Sequence, residues 1–234
     1  MMVRHHEIEF SSGALVFPGG SVDAADREIA ARSELHSGGE GCDELALSFR
    51  IAGVRETFEE SGILLARPRG SSALVEAQRA AGIEADHRAA LTERKMTFLQ
   101  MLVETGMVLA LDALVPYAHW ITPHGMSKRF DTWFFLAATP PEQLGAHDGR
   151  ESTDSLWLTP REAVEGGRTG RFKLPFPTTR NLIKLGKQPN VRAALDEARG
   201  KSVVTVMPEV TQTNGGRQLR IPLEAGYDGD LFEI

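Results

Sequence analysis

The fold of this chain is decided by one stretch, Arg55-Glu56-Thr57-Phe58-Glu59-Glu60-Ser61-Gly62-Ile63. Gly62 favours a left-handed cap just beyond a last helical residue, so the stretch is predicted to end a helix. The apolar residues 63–65 indicate that a strand follows. On the helix Glu56, Glu59 and Glu60 stand at positions i, i+3 and i+4, so their carboxylates share one face.

Three like charges on one helix face repel one another, by roughly 0.2–0.5 kcal/mol per pair when the helix is exposed. A bound divalent cation would offset this repulsion, because Mg²⁺ prefers oxygen ligands and is commonly held by carboxylates together with substrate phosphates. A solvated acidic face is the commoner explanation of such a run. The choice between the two depends on the rest of the chain.

The composition is that of an ordinary soluble globular protein, with 41% apolar and 25% charged residues. Its 234 residues suffice for one large domain, or for a core domain that carries an insertion. The net charge of -6, without a basic stripe, argues against nucleic acid as the main partner. The single Cys42 excludes an internal disulfide and a cysteine-based zinc site, and it fits a reducing cytosol.

The sequence pattern predicts neither a membrane span nor a secretion signal. No apolar run reaches the roughly 18–20 residues that a membrane span needs. The first ten residues lack the apolar core of a secretion signal. We therefore expect a cytoplasmic protein without a membrane partner.

A second informative stretch precedes the first. The apolar residues 14–17 end abruptly at Pro18-Gly19-Gly20, a pattern typical of a buried strand that enters a tight glycine loop. Gly19 and Gly20 have no Cβ atom, so their backbone can approach a ligand or another segment closely. A plain turn explains the same residues, and the loop alone does not distinguish the two.

Periodicity and cap residues predict further elements along the chain. Asp43 is the expected N-cap of the helix that ends at Gly62, and two more helices are expected to end at Gly82 and Gly106. Thr159 is expected to cap a short helix, followed by helices at residues 178–185 and 191–199. Strands are predicted at residues 63–66, 118–122, 129–137 and 151–158, with a terminal hairpin formed by residues 203–207 and 219–221.

Three pieces of this sequence together resemble the Nudix box, the loop-helix-loop signature of the Nudix hydrolases. The pieces are the glycine loop, Asp26 six residues after Gly20, and the stretch from Arg55 to Ile63. In the family a glycine is followed after five residues by Glu, and after seven more by Arg-Glu-apolar-x-Glu-Glu-x-Gly-apolar. Here Asp26 replaces the first Glu, Thr57 replaces an aliphatic residue, and 28 residues separate Asp26 from Arg55.

The enlarged box is similar to that of the peroxisomal coenzyme A diphosphatase branch and its bacterial relatives. The stretches at residues 120–123, 129–132 and 157–160 add to the resemblance, which covers most of residues 13–185. It implies an α/β fold, the Nudix-type α/β/α sandwich with a mixed β-sheet. It also implies a single Nudix domain over residues 1–234, with an insertion in the box at about 27–47 and a helical insertion at about 70–106.

The resemblance assigns roles to the box residues. Glu56, Glu59 and Glu60 are expected to hold one or more Mg²⁺ or Mn²⁺ ions, which bridge the diphosphate, neutralise its charge and help to ionise an attacking water. Arg55 is expected to orient these glutamates through charge-assisted hydrogen bonds. The backbone of the Gly19-Gly20 loop is expected either to supply a metal-ligating carbonyl close to the substrate or to place the helix.

A distal carboxylate completes such a site as ligand or general base. Glu151 is the first candidate, so Glu59, Glu60, Glu151 and Arg55 form the predicted catalytic set. Asp154 and Asp148 follow Glu151 as candidates. Four further residues are open between a substrate contact and a solvated or structural role: Arg129, Lys128, His119 and His124.

The implied reaction is metal-dependent hydrolysis of a diphosphate bond in a nucleoside diphosphate derivative, with coenzyme A or acyl-coenzyme A as the first candidate. An ADP-sugar or dinucleotide pyrophosphatase is the alternative enzyme. A Nudix-fold protein that binds its ligand without cleaving it is the alternative outside catalysis, and the presence of all three box glutamates favours the enzyme. The expected partner is a small-molecule diphosphate, and a homodimer is left open.

Overall fold

A computed structural model of the chain describes residues 1–4, 13–145, 152–213 and 215–233. The chain divides into two compact units. Unit 1 consists of Met1–Leu114 and Ala137–Trp157, and unit 2 consists of Val115–Leu136 and Leu158–Ile234. The expectation of one domain over residues 1–234 stays a prediction.

The described residues form short strands and seven helices, which we number in chain order. The strands are β1 (Met2–Arg4), β2 (Leu15–Val16), β3 (His36–Ser37), β4 (Ala66–Pro68), β5 (Met107–Ala110), β6 (Val115–Ile121), β7 (Asp131–Leu136), β8 (Ser152–Ser155), β9 (Thr205–Val206), β10 (Glu209–Thr213), β11 (Gly216–Arg220) and β12 (Leu231–Glu233). The helices are α1 (Ala24–Ala30), α2 (Glu44–Ser61), α3 (Ala77–Thr92), α4 (Phe98–Thr105), α5 (Pro160–Arg168), α6 (Phe176–Leu185) and α7 (Val191–Arg199).

Unit 1 contains two three-stranded sheets among its described residues. One has the order β2-β1-β8 with antiparallel pairs, and the other has the order β3-β5-β4. In the second sheet β3 runs parallel to β5 and β4 runs antiparallel to it, so the sheet is mixed. The glycine loop follows β2 directly, which places it at the end of a strand as the sequence predicts.

Helix α2 is fixed at both ends by its sequence. The Asp43 carboxylate accepts a hydrogen bond from the backbone N–H of Ala46 at 2.8 Å, and Gly62 adopts the left-handed conformation with φ of 75°. The helix buries Ile51, Val54 and Phe58 completely. Each such side chain stabilises the fold by about 1.5–3 kcal/mol when removed from water, so this face anchors the box helix in unit 1.

Unit 2 also contains two three-stranded sheets among its described residues. The sheet β7-β6-β9 is mixed, because β9 is parallel to β6 and β7 is antiparallel to it, whereas β10-β11-β12 is antiparallel. The core of unit 2 consists of apolar and aromatic side chains, with Tyr117, Ala118, Trp120, Val206, Ile221, Ala225 and Tyr227. Trp120 Nε1 donates to the Tyr227 hydroxyl at 2.9 Å, which satisfies a buried donor within this core.

Several local predictions are confirmed. Gly106 ends α4 with φ of 66°, and Thr159 caps α5 through a capping box with Glu162. The helix predicted at residues 191–199 is α7, with the same limits. At Gly106 and Thr159 the signal is a cap residue, which acts within one turn of chain.

Three predicted elements are wrong in detail. Helix α3 passes through Gly82 to Thr92, because glycine costs a helix interior only about 1 kcal/mol relative to alanine and the flanking alanines favour the helix. The strand expected at residues 63–66 begins only at Ala66. In the terminal hairpin β11 pairs with β10 and not with residues 203–207. Residues 205–206 instead pair with β6, through a long-range contact that no local signal reveals.

Candidate active site

The glycine loop lies against the first glutamate of the box. A Cβ atom added to Gly20 would lie 2.3 Å from Glu56 Oε1, a distance at which something must shift. Gly19, in contrast, has no described atom within 4 Å of its added Cβ position. Gly20 therefore supplies the space for the Glu56 carboxylate, and this is the physical reason for a glycine here.

Arg55 is the centre of a buried ionic network that joins α1 to α2. Its Nε and Nη2 donate to the two carboxylate oxygens of Asp26 at 2.9 and 3.0 Å, and Nη2 also donates to the Ser21 carbonyl at 2.9 Å. Asp26 is fully buried, and its Oδ2 accepts from the Asp23 backbone N–H at 2.9 Å. Such fork-to-carboxylate pairing fixes both distance and orientation, so the loop and the box helix are held together.

The same guanidinium reaches two box glutamates. Arg55 Nη1 lies 2.8 Å from Glu56 Oε1 and 3.1 Å from Glu59 Oε2. Burial opposes the charged form of Arg55, but the hydrogen bond with Asp26 and the charges of Glu56, Asp26 and Glu59 outweigh it and raise its pKa. Arg55 is therefore a permanent cation that brings the Glu56 and Glu59 carboxylates to one place.

The box carboxylates occupy different environments. Burial raises the pKa of Glu59 to about 7, the charge of Glu56 adds to the shift, and Arg55 opposes it. Glu60 is buried, with 8% of its surface exposed. Burial makes a carboxylate costly to ionise, and a cation bound at this helix face would offset that cost.

Helix α3 secures the end of the box helix through Arg88, which sequence reasoning missed. Its Nε donates to the Glu59 carbonyl at 2.9 Å, and its Nη2 donates to the Glu60 carbonyl at 2.6 Å. Its Nη1 donates to Glu84 Oε1, one turn earlier on α3, at 2.7 Å. The spacing of Glu84 and Arg88 is the signal that was available, but the predicted helix end at Gly82 left these residues outside a helix.

Gln143 is a second residue that the sequence did not reveal. Its Oε1 accepts from the Leu64 backbone N–H at 2.9 Å, and its Nε2 donates to the carbonyls of Leu64 and Val75 at 3.4 Å. Gln143 is buried with 8% exposure. It therefore satisfies the backbone just beyond the Gly62 cap.

The side chains of the box provide the type of ligand atom that a hard divalent cation prefers. Glu56, Glu59 and Glu60 offer carboxylate oxygens, the ligands that Mg²⁺ and Mn²⁺ prefer, and Gly20 leaves room beside Glu56 for a close approach. Within the described ranges, no three acidic, histidine or cysteine side chains are positioned together as a metal-binding group. The arrangement seen is the one in which Arg55 Nη1 lies between Glu56 and Glu59.

The structure describes only some of the other residues expected at the site. Glu151 and Asp148 lie outside the described residues, so their assignment stays a prediction. Asp154 lies on β8, which is hydrogen bonded to β1, and its Oδ1 accepts from the Ser155 backbone N–H at 2.8 Å. Arg129 belongs to unit 2, where its Nε donates to the Thr122 carbonyl at 3.1 Å.

The two histidines and Lys128 also belong to unit 2. His119 is held between Thr205 Oγ1, at 2.8 Å from Nδ1, and Asp131 Oδ1, at 2.5 Å from Nε2. Its ring stacks on Trp133 with a centroid distance of 4.2 Å. His124 lies in the turn after β6 and is exposed. Substrate contacts by these residues remain predictions.

Comparison with known proteins supplies the family. A family model described as the NUDT19 Nudix domain matches residues 33–185, which is more than half of the chain. The chain belongs to the Nudix family. The resemblance predicted from the box is thereby confirmed, and the box helix α2 lies inside the matched residues of this Nudix chain.

Three vertebrate relatives of this Nudix chain share one name. Acyl-coenzyme A diphosphatase NUDT19 of Xenopus laevis is 26% identical over 224 residues, covering 79% of this chain and 58% of the relative. The Gallus gallus protein of that name is 31% identical over 219 residues, covering 75% and 57%. The Homo sapiens protein is 32% identical over 138 residues, covering 56% and 37%. The chain thus spans little more than half the length of the first two.

A solved structure supports the fold. The crystal structure of a NUDIX hydrolase from Alicyclobacillus acidocaldarius matches with a TM-score of 0.62 at 26% identity, covering 83% of this chain and 86% of that one. The expected α/β Nudix fold is therefore confirmed. In the part of the chain that the structure describes, no helix combines the length and the apolar character that crossing a membrane requires.

Proposed function

We propose that this Nudix protein hydrolyses a diphosphate bond in a nucleoside diphosphate derivative, and that acyl-coenzyme A is its preferred substrate. The observation that carries the proposal is the buried network in which Arg55 joins Asp26 to Glu56 and Glu59 beside Gly20. The choice of substrate rests on the vertebrate relatives that are named acyl-coenzyme A diphosphatase.

The box glutamates would hold the metal ion. Glu56, Glu59 and Glu60 would bind Mg²⁺ or Mn²⁺, which, when present, supplies charge neutralisation for the diphosphate. Arg55 is a positioning residue. Its guanidinium is hydrogen bonded to Asp26 and forms ion pairs with Glu56 and Glu59, and it therefore orients these two glutamates. Asp26 fixes Arg55 in turn, and Arg88 holds the carbonyls at the end of the helix.

The reaction divides one molecule into two phosphate monoesters. A water oxygen attacks phosphorus, the bridging P–O bond of the anhydride breaks, and the leaving oxygen becomes a phosphate oxygen. One proton of the water passes to a carboxylate, for which Glu59 inside the box and Glu151 outside the described residues are the candidates. Catalysis consists mainly of positioning and of stabilising the charge that develops on phosphorus oxygens.

The location and the oligomeric state belong to the proposal as well. A single cysteine in 234 residues suits a reducing compartment, for which we propose the cytoplasm. The small-molecule diphosphate is the proposed partner, and gel filtration with light scattering tests directly whether the chain forms a homodimer.

Arg129 is proposed as a phosphate contact, because its cationic side chain is exposed.

The proposal is tested with a panel of diphosphates incubated with the purified chain and Mg²⁺ or Mn²⁺. The panel contains coenzyme A, acyl-coenzyme A, ADP-sugars and dinucleoside polyphosphates, and the products are identified by mass. We expect acyl-coenzyme A to be cleaved with the highest kcat/KM, giving two phosphate monoesters. A higher kcat/KM for ADP-sugars or dinucleotides would replace the substrate assignment, and no hydrolysis of any compound would overturn the enzymatic function.

The residue assignments require matched variants. Glu59→Gln and Glu60→Gln are expected to lower kcat by about 10²-fold or more, because each removes a carboxylate charge from the reacting centre. Glu28→Gln is the control, since Glu28 is exposed on α1 outside the network. Removal of divalent ions with a chelator should abolish turnover, and addition of Mg²⁺ or Mn²⁺ should restore it. Full activity of both box variants would contradict the assignment.

A further inference from the structure

Unit 2 contains a cavity that the proposed reaction does not use. It has a volume of about 250 Å³ and lies between β6, the ends of α6 and α7, and the segment before β12. Three lysines line it, Lys184, Lys187 and Lys201, together with two glutamates, Glu197 and Glu224. A cluster of three lysines is notable in a chain whose net charge is -6.

Lys184 is the cation at the aromatic wall of the cavity. Its Nζ lies 5.0 Å from the ring centroid of Tyr117 and 4.9 Å from that of Tyr227, and it donates to the Ala225 carbonyl at 3.1 Å. Among the residues that the structure describes, no carboxylate oxygen lies within the 4.0 Å of an ion pair with this ammonium. Burial lowers the pKa of Lys184, and the charges of Lys201 and Lys187 add to this while Glu197 opposes it.

Three of the other charges that line the cavity, Lys187, Lys201 and Glu197, are already paired. Lys201 Nζ lies 2.5 Å from Glu197 Oε1, and Gln188 Nε2 donates to Glu197 Oε2 at 2.5 Å, so both oxygens of this glutamate are engaged. Lys187 forms an ion pair with Asp228. Glu224 is exposed to solvent, so among the described residues the half-buried charge of the cavity that lacks an ion pair is the ammonium of Lys184. Aromatic faces and one carbonyl stabilise it only in part.

We propose that this cavity binds the phosphate group of a small phosphate anion, with Lys184 as its main contact and Lys187 and Lys201 at its rim. Lysine binds phosphate as a point charge, and a dianion would supply the opposite charge that Lys184 lacks. The volume is below the roughly 300–1,000 Å³ of pockets that take drug-sized ligands. It therefore suits a phosphate with a short attached chain rather than a whole nucleotide.

The inference goes beyond the proposed function, because it places an anion site in unit 2 and not at the box. The ligand is a phosphate dianion that can come from two sources, free inorganic phosphate or the end of a phosphate monoester. Both carry the same charge and oxygens, so they are distinguished by experiment rather than by the chemistry of the lysines.

The test is isothermal titration calorimetry of the whole chain with inorganic phosphate and with ethyl phosphate, in the presence of a chelator and at matched chloride ionic strength. We expect one phosphate to bind per chain. Lys184→Met removes the ammonium but keeps an apolar stem against the tyrosine rings, and it should weaken binding by about tenfold or more. Lys173→Met, at an exposed lysine outside the cavity, should leave the affinity unchanged.

A second variant tests the site without changing Lys184, so the result does not depend on whether the Lys184 variant folds correctly. Lys201→Met leaves Glu197 without its cation, so phosphate affinity should fall about threefold or more through repulsion. Tighter binding of ethyl phosphate than of inorganic phosphate would support the site and identify a monoester end, whereas the reverse order would support it and identify free phosphate. No binding above the chloride control, or equal affinities of wild type and Lys184→Met, would overturn the proposal.

Discussion

Arg55 and Asp26 form a bidentate pair in which Nε and Nη2 of the arginine donate to the two oxygens of the carboxylate at 2.9 and 3.0 Å. The two residues are 29 positions apart, and Asp26 is fully buried while Arg55 is 6% exposed. The pair links the N-terminal half of the box to its helix. Chain inserted between the halves costs only about 0.6 kcal/mol per doubling of loop length, so the long separation is compatible with a preserved site.

The first prediction concerns the stability that this pair provides. Asp26→Asn should lower the free energy of unfolding by about 3 kcal/mol, because breaking a buried ion pair leaves Arg55 without a full counter-charge. Urea denaturation followed by circular dichroism measures the loss. Asp86→Asn, at an exposed aspartate of α3, is the control and should stay within about 0.5 kcal/mol of wild type.

The double variant Asp26→Leu with Arg55→Met separates the pair from its parts. Replacing both members by apolar residues removes the buried charges together, so this variant should be less destabilised than Asp26→Asn. Equal or greater destabilisation would indicate that Arg55 stabilises the fold mainly through Ser21, Glu56 and Glu59.

Much of the box could be predicted because its signals are local. Asp43 and Gly62 delimit α2 by capping bonds within one turn, and the spacing of Arg55 and Glu59 places them together on any helix. The pairing of Asp26 with Arg55 was not predicted, since 28 intervening residues fix no distance by themselves.

The remaining contacts of the site depend on packing that the sequence does not display. Arg88 contacts the box helix only because α3 continues past Gly82, whose small helical cost the neighbouring alanines outweigh. Gln143 satisfies the backbone of Leu64 from 79 residues away, and a lone glutamine in a loop carries no signal of that role. Long-range partners of this kind become visible only in the folded chain.

The second prediction concerns the close approach at the glycine loop. Gly20→Ala places a Cβ atom 2.3 Å from Glu56 Oε1, so the carboxylate must move. We expect a loss of at least about tenfold in kcat/KM, since a displacement of about 1 Å at a site can cost 10²-fold. Steady-state kinetics measures it.

Gly82→Ala is the matched control for that variant. An added Cβ at Gly82 meets no described atom within 4 Å, and the residue lies inside α3. This variant should keep wild-type kinetics and gain about 0.5–1 kcal/mol of stability. Unchanged kinetics in Gly20→Ala would show that the loop can yield, and that its glycine is not required by Glu56.

The third prediction concerns Arg88 and the last turn of α2. Arg88→Met removes the bonds to the Glu59 and Glu60 carbonyls and should cost about 1–3 kcal/mol. Hydrogen exchange followed by mass spectrometry compares the variant with wild type. The increase in exchange rate should be larger in peptides that cover residues 55–63 than in the other peptides.

Arg192→Met is the control for Arg88, because the side chain of Arg192 is 93% exposed. It should change neither the stability nor the exchange pattern by a measurable amount. Faster exchange spread evenly over the chain in Arg88→Met would mean that Arg88 supports the global fold rather than the end of the box helix.

The fourth prediction concerns the pH dependence of the pair between Arg67 and Asp112 in unit 1. Arg67 donates from Nη1 and Nη2 to the two oxygens of Asp112 at 2.7 Å each, and these bonds lower the pKa of Asp112. Because the folded pKa lies below the unfolded value of about 3.9, the stabilisation is present above that value and is lost as the pH falls through the folded pKa. The stability difference between wild type and Asp112→Asn, measured by urea denaturation at about pH 7, 5 and 3, should therefore shrink only at the lowest pH. Arg67→Met should show the same dependence, and a difference that is constant with pH would refute the role of this pair.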